Sequence, residues 1–295
     1  MQCDTTAFDV IDEALGFAKE QDLVGLDINL KLTRGQGFLM KGNYPGCQRT
    51  LQSVLGTIEA LERPEKYMAQ WGLLAMSSHT ELGDWEDASL LIPNTLYQSE
   101  QANDYLTWML ANTYAGYIAM GSGNLEEAKQ TLEKALTLSS EYRFATPSLL
   151  AWRFLAETEL KLGNQSVAEE IATRALEIAE KPEYHQHYER YLLTNLRAQC
   201  LLARGEVKTT GKLLEALWPE VIQTGFTPLI ARTATQIGIL YQSMAVPTLK
   251  AETRQRHLTR SETFYNKAKA IWKELGNPYQ VRQIEEAQAP AVSIR

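Results

Sequence analysis

The sequence predicts an all-α protein built from tandem antiparallel helix pairs, with about 13 or 14 helices. Three observations predict it. A short glycine-containing segment recurs at nearly constant spacing along the 295 residues. The stretches between these segments carry apolar residues at helical spacing, and no sustained run alternates between apolar and polar residues as a half-buried β-strand does. A repeated helical hairpin explains all three observations.

The recurring segment places a glycine at separations of 41, 40, 40 and 42 residues, and four of the five glycines are followed by Asn or Asp. A tight turn between two helices often needs a positive φ at the end of the first helix, which glycine adopts at least cost. We therefore predict an inter-helix turn at each of Gly42, Gly83, Gly123, Gly163 and Gly205.

The clearest helices surround Gly163. Residues 149–161 form a periodic stretch that begins after Pro147 and Ser148, a helix start signal. After the glycine, apolar residues follow a 3.6-residue period: Ala168, Ile171, Ala172, Ala175, Leu176 and Ala179. Each period therefore reads as a helix, a glycine turn, a second helix and a looser linker.

These residues resemble the tetratricopeptide family. Trp152, Leu155 and Ala156 match its first helix, and Ala168 and Ala175 match its second helix. The resemblance covers about Asp22 to Leu275, and the period is near 40 rather than the usual 34 residues. It implies a right-handed superhelical solenoid.

The domain prediction is one repeat domain over residues 1–295. An N-terminal capping helix falls in 1–21, about six helix pairs in 22–275, and a C-terminal capping helix with a tail in 276–295. The single helices at the two ends are predicted at Ala7–Lys19 and Tyr279–Ala287. The alternative is that the chain is a piece of a longer protein.

Repeats of this length are similar to the sensor arrays of large ATP-binding bacterial regulators of the LuxR type and the maltose-activator type. They also occur in peptide-sensing regulators. The residues do not choose between these two groups.

Composition excludes several classes of protein. With 29 basic and 36 acidic residues the net charge is −7, which disfavours a general nucleic-acid binder. Three cysteines far apart in sequence argue against a disulfide framework. The sequence contains neither a long apolar segment nor a secretory signal, so we expect a cytoplasmic protein that does not bind membranes.

Motifs for catalysis or cofactor binding are absent from the sequence. Gly205 to Lys212 only approximates a phosphate-binding loop, because its glycines are too far apart and Leu213 replaces the hydroxyl residue. His185 and His187 flank Gln186, a spacing that points two side chains apart on a helix, and His79 and His257 are isolated. We therefore predict no enzyme, cofactor or metal site.

Residues 250–273 carry seven Lys or Arg against two Glu, and a third Glu, Glu274, follows directly. We favour a solvated helix face for this stretch, with a docking patch for an acidic partner as the alternative.

The resemblance also implies a concave groove lined by the first helices of the pairs. Amides there would match the donors and acceptors of a peptide backbone, and arginines would hold carboxylates or phosphates. The residues mapped to this groove are Asn29, Gln36, Gln70, Ser77, Thr113, Tyr117, Arg153, Glu157, Asn195, Gln199, Arg232 and Gln242, with Glu81 and Thr235 added by the same mapping.

The predicted function is a non-enzymatic module that binds a peptide, a protein segment or a small effector in this groove. Two alternatives stay open: a ligand-sensing domain of a multidomain bacterial regulator of transcription or signalling, and a structural scaffold for assembly.

Overall fold

The computed structural model describes residues 5–142, 145–181 and 187–288. These residues form fourteen α-helices and no strand. In chain order the helices are α1 (Thr5–Glu20), α2 (Val24–Met40), α3 (Tyr44–Glu59), α4 (Glu65–Leu82), α5 (Trp85–Gln101), α6 (Tyr105–Gly121), α7 (Leu125–Tyr142), α8 (Ala145–Lys161), α9 (Gln165–Ala179), α10 (His187–Ala203), α11 (Val207–Thr224), α12 (Thr227–Met244), α13 (Ala251–Glu274) and α14 (Pro278–Gln288). The predicted all-α class is confirmed.

The predicted turn glycines behave alike. All five adopt a positive φ, between 76° and 89°, at the end of a first helix. The residue after the glycine often begins the next helix: Asn43 Oδ1 accepts a hydrogen bond of 2.9 Å from the Gly46 amide. This N-cap satisfies a donor that the first turn of a helix leaves unpaired. The pair Gly42-Asn43 therefore ends α2 and starts α3, whereas the Asn164 side chain makes no such cap hydrogen bond with α9.

The chain divides into two compact units, Met1–Thr158 and Glu159–Arg295. In unit 1, α1 packs on α2, the first helices α2, α4 and α6 pack on the second helices α3, α5 and α7, and α2, α4 and α6 contact one another in sequence. One core of unit 1 lies among α2, α3 and α4 and contains Ile28, Leu32, Cys47, Leu51, Val54, Ile58 and Ala75. Another, among α4, α5 and α6, contains Met76, Ala88, Ala111 and Ile118.

Glycines on the first helices allow close packing of the pairs. A Cβ added to Gly116 on α6 would lie 2.6 Å from Leu132 Cγ on α7. In unit 2 a Cβ added to Gly238 on α12 would lie 2.8 Å from Tyr265 Cδ1 on α13. A larger residue at either position would push the two helices of the pair apart.

Unit 2 repeats the same arrangement. The first helices α10 and α12 contact each other, α10 packs on α9 and α11, and α12 packs on α11 and α13. The terminal helix α14 packs mainly on α13 and also contacts α12. Tyr265 and Trp272 of α13 are among the largest fully buried side chains. The single domain of residues 1–295 stays a prediction.

Three connections differ from the sequence interpretation. A two-residue turn, with Gly225 at a φ of 68°, joins α11 to α12 where a looser linker was expected. A three-residue turn, not a loose linker, joins α5 to α6, because Asn103 adopts a φ of 52° and closes the turn as glycine would. The connection after α12, expected over residues 244–255, is shorter and spans residues 245–250, since α13 begins at Ala251.

None of the helices in the described residues is both long and apolar enough to cross a membrane. The pair His185 and His187 and the tail from Ala289 lie outside the residues whose side chains the structure describes.

Candidate functional site

The residues predicted to line the groove fall into two rows. The unit 1 row lies on α2, α4, α6 and α8 and consists of Asn29, Gln36, Gln70, Ser77, Thr113, Tyr117, Arg153 and Glu157. The unit 2 row lies on α10 and α12 and consists of Asn195, Gln199, Arg232 and Gln242. All twelve residues are on first helices, as predicted.

One repeat position contributes a member to every first helix from α2 to α10. Gln36, Ser77, Tyr117, Glu157 and Gln199 each lie six residues before a turn glycine. Because the turn glycines fix the helix ends, these residues are equivalent in successive pairs. The side chain at this position is polar or a tyrosine in each pair.

The amides of α2 and α4 form the accessible part of the unit 1 row. Asn29 and Gln36 are exposed and Gln70 is half-buried. Asn29 Nδ2 donates to the Gly25 carbonyl at 2.9 Å and lies 3.5 Å from Tyr67 Oη on α4. The contact with Tyr67 places polar groups of adjacent first helices side by side. These side chains offer donors and acceptors to a chain lying across both helices.

Two members of the row do not face an open groove. Ser77 is 5% exposed and Thr113 is 0% exposed. Their hydroxyls donate to carbonyl groups one turn back, Leu73 O at 2.9 Å and Met109 O at 3.0 Å. The expected exposure is wrong here because α4 and α6 pack against neighbours on several sides, which leaves little of their circumference open.

The end of the unit 1 row is aromatic and internally paired. Tyr117 stacks on Phe154, with ring centroids 3.9 Å apart and planes within 11°. The guanidinium of Arg153 lies 4.4 Å from the centroid of Phe154, and its Nη1 is 3.1 Å from Glu157 Oε1. Arg153 is therefore already bound to a carboxylate of its own helix. A ligand carboxylate would have to compete with Glu157 for it.

In unit 2 the predicted Asn195 belongs to a buried polar cluster between α10 and α12. Its Nδ2 donates to Thr233 Oγ1 at 2.9 Å, and its side chain is 4% exposed. Gln236 lies on the same helix as Thr233 and is 8% exposed. Within the described part of the chain, Asn195 Oδ1 and Gln236 Oε1 have no hydrogen-bond partner. Sequence reasoning missed Thr233 and Gln236, because periodicity alone assigns them to the apolar core.

The other members of the unit 2 row differ in their surroundings. Gln199 is half-buried, and the guanidinium of Arg232 lies 5.6 Å from the ring centroid of Trp272. Gln242 Oε1 accepts a hydrogen bond of 2.7 Å from Tyr265 Oη. Burial raises the pKa of Tyr265 to about 12. Gln242 therefore binds the second helix of its own pair, because the long α13 brings Tyr265 against it.

The described residues place three possible metal ligands, His79, Asp84 and Asp87, within 4.8 Å of one another at the α4–α5 turn. His79 Nδ1 is 3.6 Å from Asp84 Oδ2. His79 is thus not isolated, as its position in the sequence suggested. Both carboxylates are exposed, and acidic side chains commonly gather at helix starts without an ion.

The two cysteines with described side chains lie in the cores of their units. Burial raises the pKa of the Cys47 thiol to about 11 and that of Cys200 to about 12. Both side chains are 0% exposed. A neutral, enclosed thiol is a poor nucleophile, so these cysteines act as small core residues.

Comparison with known proteins supports the repeat assignment. Residues 109–181 match the family described as tetratricopeptide repeat. No curated protein matches the chain significantly. The matched residues include α7, α8 and α9 and the turn glycines Gly123 and Gly163.

Several solved structures are similar in fold. A Rap protein complexed with competence and sporulation factor has a TM-score of 0.66 and 10% identity, covering 88% of this chain and 73% of that one. The apo form of RapI has a TM-score of 0.58 and 11% identity, covering 89% and 97%. The Rap conjugation gene regulator of plasmid pLS20, in complex with the Phr* peptide, has a TM-score of 0.51 and 15% identity, covering 93% and 80%. At these identities the likeness concerns the fold.

Proposed function

We propose that this chain is a non-enzymatic module that binds a peptide or an extended protein segment across its first helices. The observation that carries the proposal is the direct contact between successive first helices within each unit. This contact sets polar side chains of neighbouring repeats side by side, as at the Asn29 amide beside the Tyr67 hydroxyl. An extended chain needs such a regular series of donors and acceptors, because its backbone repeats the same two groups.

The fold comparison supports a binding role. Two of the similar structures are complexes, one with competence and sporulation factor and one with the Phr* peptide. Proteins with tetratricopeptide-like repeats are generally non-enzymatic scaffolds. For this chain, a peptide ligand is the proposal that unites the fold with the accessible amides Asn29, Gln36, Gln70 and Gln199.

The remaining readings stay predictions. None of the three similar structures is a LuxR-type or maltose-activator-type regulator, so a sensor array of such a regulator rests on the repeat length alone. Three further ideas also stay predictions from the sequence: a role in signalling or transcription, a cytoplasmic location and a scaffold function. A scaffold that uses other surfaces would not need the amides of the first helices.

The test is selection of a random heptapeptide library, displayed on phage, against the immobilised protein. Enriched peptides are synthesised with a fluorophore and titrated by fluorescence anisotropy. We expect Gln36→Ala with Gln70→Ala to weaken a peptide bound to unit 1 by about tenfold, since each lost hydrogen bond costs about 0.5–1.5 kcal/mol. For a peptide bound to unit 2, the matching variant is Gln199→Ala with Arg232→Ala.

The matched controls are exposed glutamines on second helices, Gln52→Ala on α3 and Gln223→Ala on α11. We expect both controls to bind as the wild type does. If no peptide is enriched, or if the enriched peptides respond to the control variants and not to the first-helix variants, the proposal is wrong.

A further inference from the structure

Unit 2 contains a second concave feature that the proposed function does not use. A cavity of about 610 Å³, which we call the α11–α13 cavity, is lined by residues of α11, α12 and α13 and is open on one side. Its volume is within the range of pockets that hold small organic ligands. His257, Arg260 and Phe264 face it from α13 at a spacing of three and four residues, so one side of that helix forms a wall.

The α11–α13 cavity lies on the opposite face of α12 from Arg232 and Gln242 of the unit 2 row. Ile237, Leu240, Tyr241 and Met244 line it at positions i, i+3, i+4 and i+7, one stripe of the helix. Arg232 and Gln242 lie on the other side of the helix, about half a turn away. A ligand in the cavity would therefore not occupy the surface proposed for a peptide.

The interior of the cavity suits an apolar body. Trp218 meets Phe264 edge to face at 5.5 Å between centroids, and Tyr241 lies nearly parallel to Phe264 at 6.1 Å. Leu214, Ile237 and Leu240 add aliphatic surface. Flat and branched apolar side chains of this kind bind the hydrocarbon part of a ligand by burial and ring contact.

The charged groups around this apolar interior are mostly cationic. Lys208, Lys212 and Arg260 line the cavity against a single carboxylate, Glu215. This local excess stands out in a chain whose net charge is −7. Lys208 and Lys212 are one turn apart on α11, so they share a face. The charge balance favours an anion over a cation or a neutral molecule.

Arg260 and His257 are held in place beside Tyr241. The Arg260 guanidinium lies 5.4 Å from the centroid of the Tyr241 ring, and its Nη1 is 3.4 Å from Tyr241 Oη. His257 stacks on the same ring at 6.1 Å, and its buried Nδ1 has no hydrogen-bond partner among the described residues. The Arg260 guanidinium is a group that a carboxylate, sulfonate or phosphate oxygen would engage.

We propose that the α11–α13 cavity binds a small organic anion, with its apolar body among Trp218, Leu240 and Phe264 and its acidic group at Arg260 and Lys212. In this proposal, Arg260 of the basic stretch 250–273 binds the acidic group of the ligand. We assign a small molecule and not a protein segment, because the cavity lies among three helices of one unit and its volume of about 610 Å³ matches that of small-ligand pockets.

The proposal is tested with two fluorescent probes of the same shape. Anilinonaphthalene sulfonate carries one negative charge, and N-phenyl-naphthylamine is the same body without the sulfonate. We expect saturable binding of the sulfonate to the wild type, about tenfold or more tighter than that of the neutral probe. Equal affinity for the two probes would overturn the assignment of an anion site.

Variants locate the binding. Gly211→Leu fills the cavity from α11, where an added Cβ would lie 4.0 Å from Leu240 Cδ2 without a clash. We expect this variant to keep its helical circular dichroism and to lose both probes. Arg260→Gln with Lys212→Gln should weaken the sulfonate by about tenfold and leave the neutral probe unchanged.

The matched charge control is Arg254→Gln, an exposed residue of α13 outside the cavity. It should bind both probes as the wild type does. Sulfonate binding that survives Gly211→Leu, or that falls as much in Arg254→Gln as in the cavity variant, would contradict the proposal. Peptide binding to the first helices is measured separately, so failure of one proposal leaves the other intact.

Discussion

Asn195 on α10 and Thr233 on α12 are joined by a buried hydrogen bond of 2.9 Å between two neighbouring first helices. The bond gives Asn195 Nδ2 an acceptor, while Oδ1 of the same side chain has no partner among the described residues. The two helices are thus joined by a buried polar contact. Loss of either partner leaves a polar group buried without a hydrogen bond.

We predict that Thr233→Val lowers the free energy of unfolding by about 1–3 kcal/mol, because Asn195 Nδ2 loses its acceptor in a buried site. The double variant Asn195→Leu with Thr233→Val should lose less than the sum of the two single changes. Urea denaturation followed by circular dichroism measures both. The control Thr235→Val, half-buried on the same helix, should change stability by no more than about 0.5 kcal/mol.

The close contact at Gly116 predicts that replacing this helical glycine by alanine lowers the stability of the protein, although the same change usually raises it in a helix. Alanine favours a helix by about 1 kcal/mol over glycine. At Gly116, however, the new Cβ would lie 2.6 Å from Leu132 Cγ. We expect Gly116→Ala to destabilise the protein by about 1–3 kcal/mol. Gly56→Ala on α3, where a Cβ meets nothing within 4 Å, should stabilise it by about 0.5–1 kcal/mol. Thermal denaturation of the two variants gives the comparison, and equal effects would refute it.

The buried thiols predict a pH dependence. The fold favours the neutral form of Cys47 and Cys200, so their contribution to stability is complete below the ordinary thiol pKa of 9.0. It is lost as the pH rises towards about 11 for Cys47 and about 12 for Cys200. Stability should therefore fall above pH 9 by more than in a variant with both cysteines replaced by alanine.

The same burial predicts slow chemical modification. With iodoacetamide at pH 8 and peptide mass spectrometry, Cys47 and Cys200 should be labelled in urea and remain unlabelled in the folded protein. Labelling of either cysteine at equal rates in the two conditions would mean that its side chain is not enclosed.

The α5–α6 turn offers a test of backbone strain. Asn103 adopts a φ of 52°, which costs most residues about 1–2 kcal/mol and asparagine less. We expect Asn103→Ala to lower the melting temperature and Asn103→Gly to leave it unchanged or raise it. A melting temperature for Asn103→Ala equal to that of the wild type would argue against a left-handed residue at this turn.

The sequence was sufficient to predict the helix pairs. The turn glycines and the apolar period locate α2 to α11, since both signals depend on residues close together in the chain. The turn at Asn103 escaped prediction because asparagine marks a left-handed conformation less clearly than glycine does. The start of α13 escaped it because a polar, charged helix has no apolar stripe in its first turns.

The candidate site was less predictable. Helical periodicity predicts which face of a first helix a side chain lies on, but it does not predict whether neighbouring helices bury that side chain. Thr113 and Asn195 are polar residues on the expected helices, yet both are buried. The α11–α13 cavity could not be predicted from the sequence, because its lining comes from three helices. The sequence alone assigns Trp218 to the core, and only the structure shows Phe264 in contact with it and Arg260 in the same cavity lining.

The turn glycines bear on how the protein reaches its native state. Because each left-handed turn joins helices that are adjacent in sequence, contacts within a hairpin form between residues a few tens of positions apart. Such local connectivity favours rapid folding, with each hairpin able to serve as a nucleus for its neighbour. A destabilising substitution in one turn should therefore destabilise the adjoining hairpins before it affects the rest of the chain.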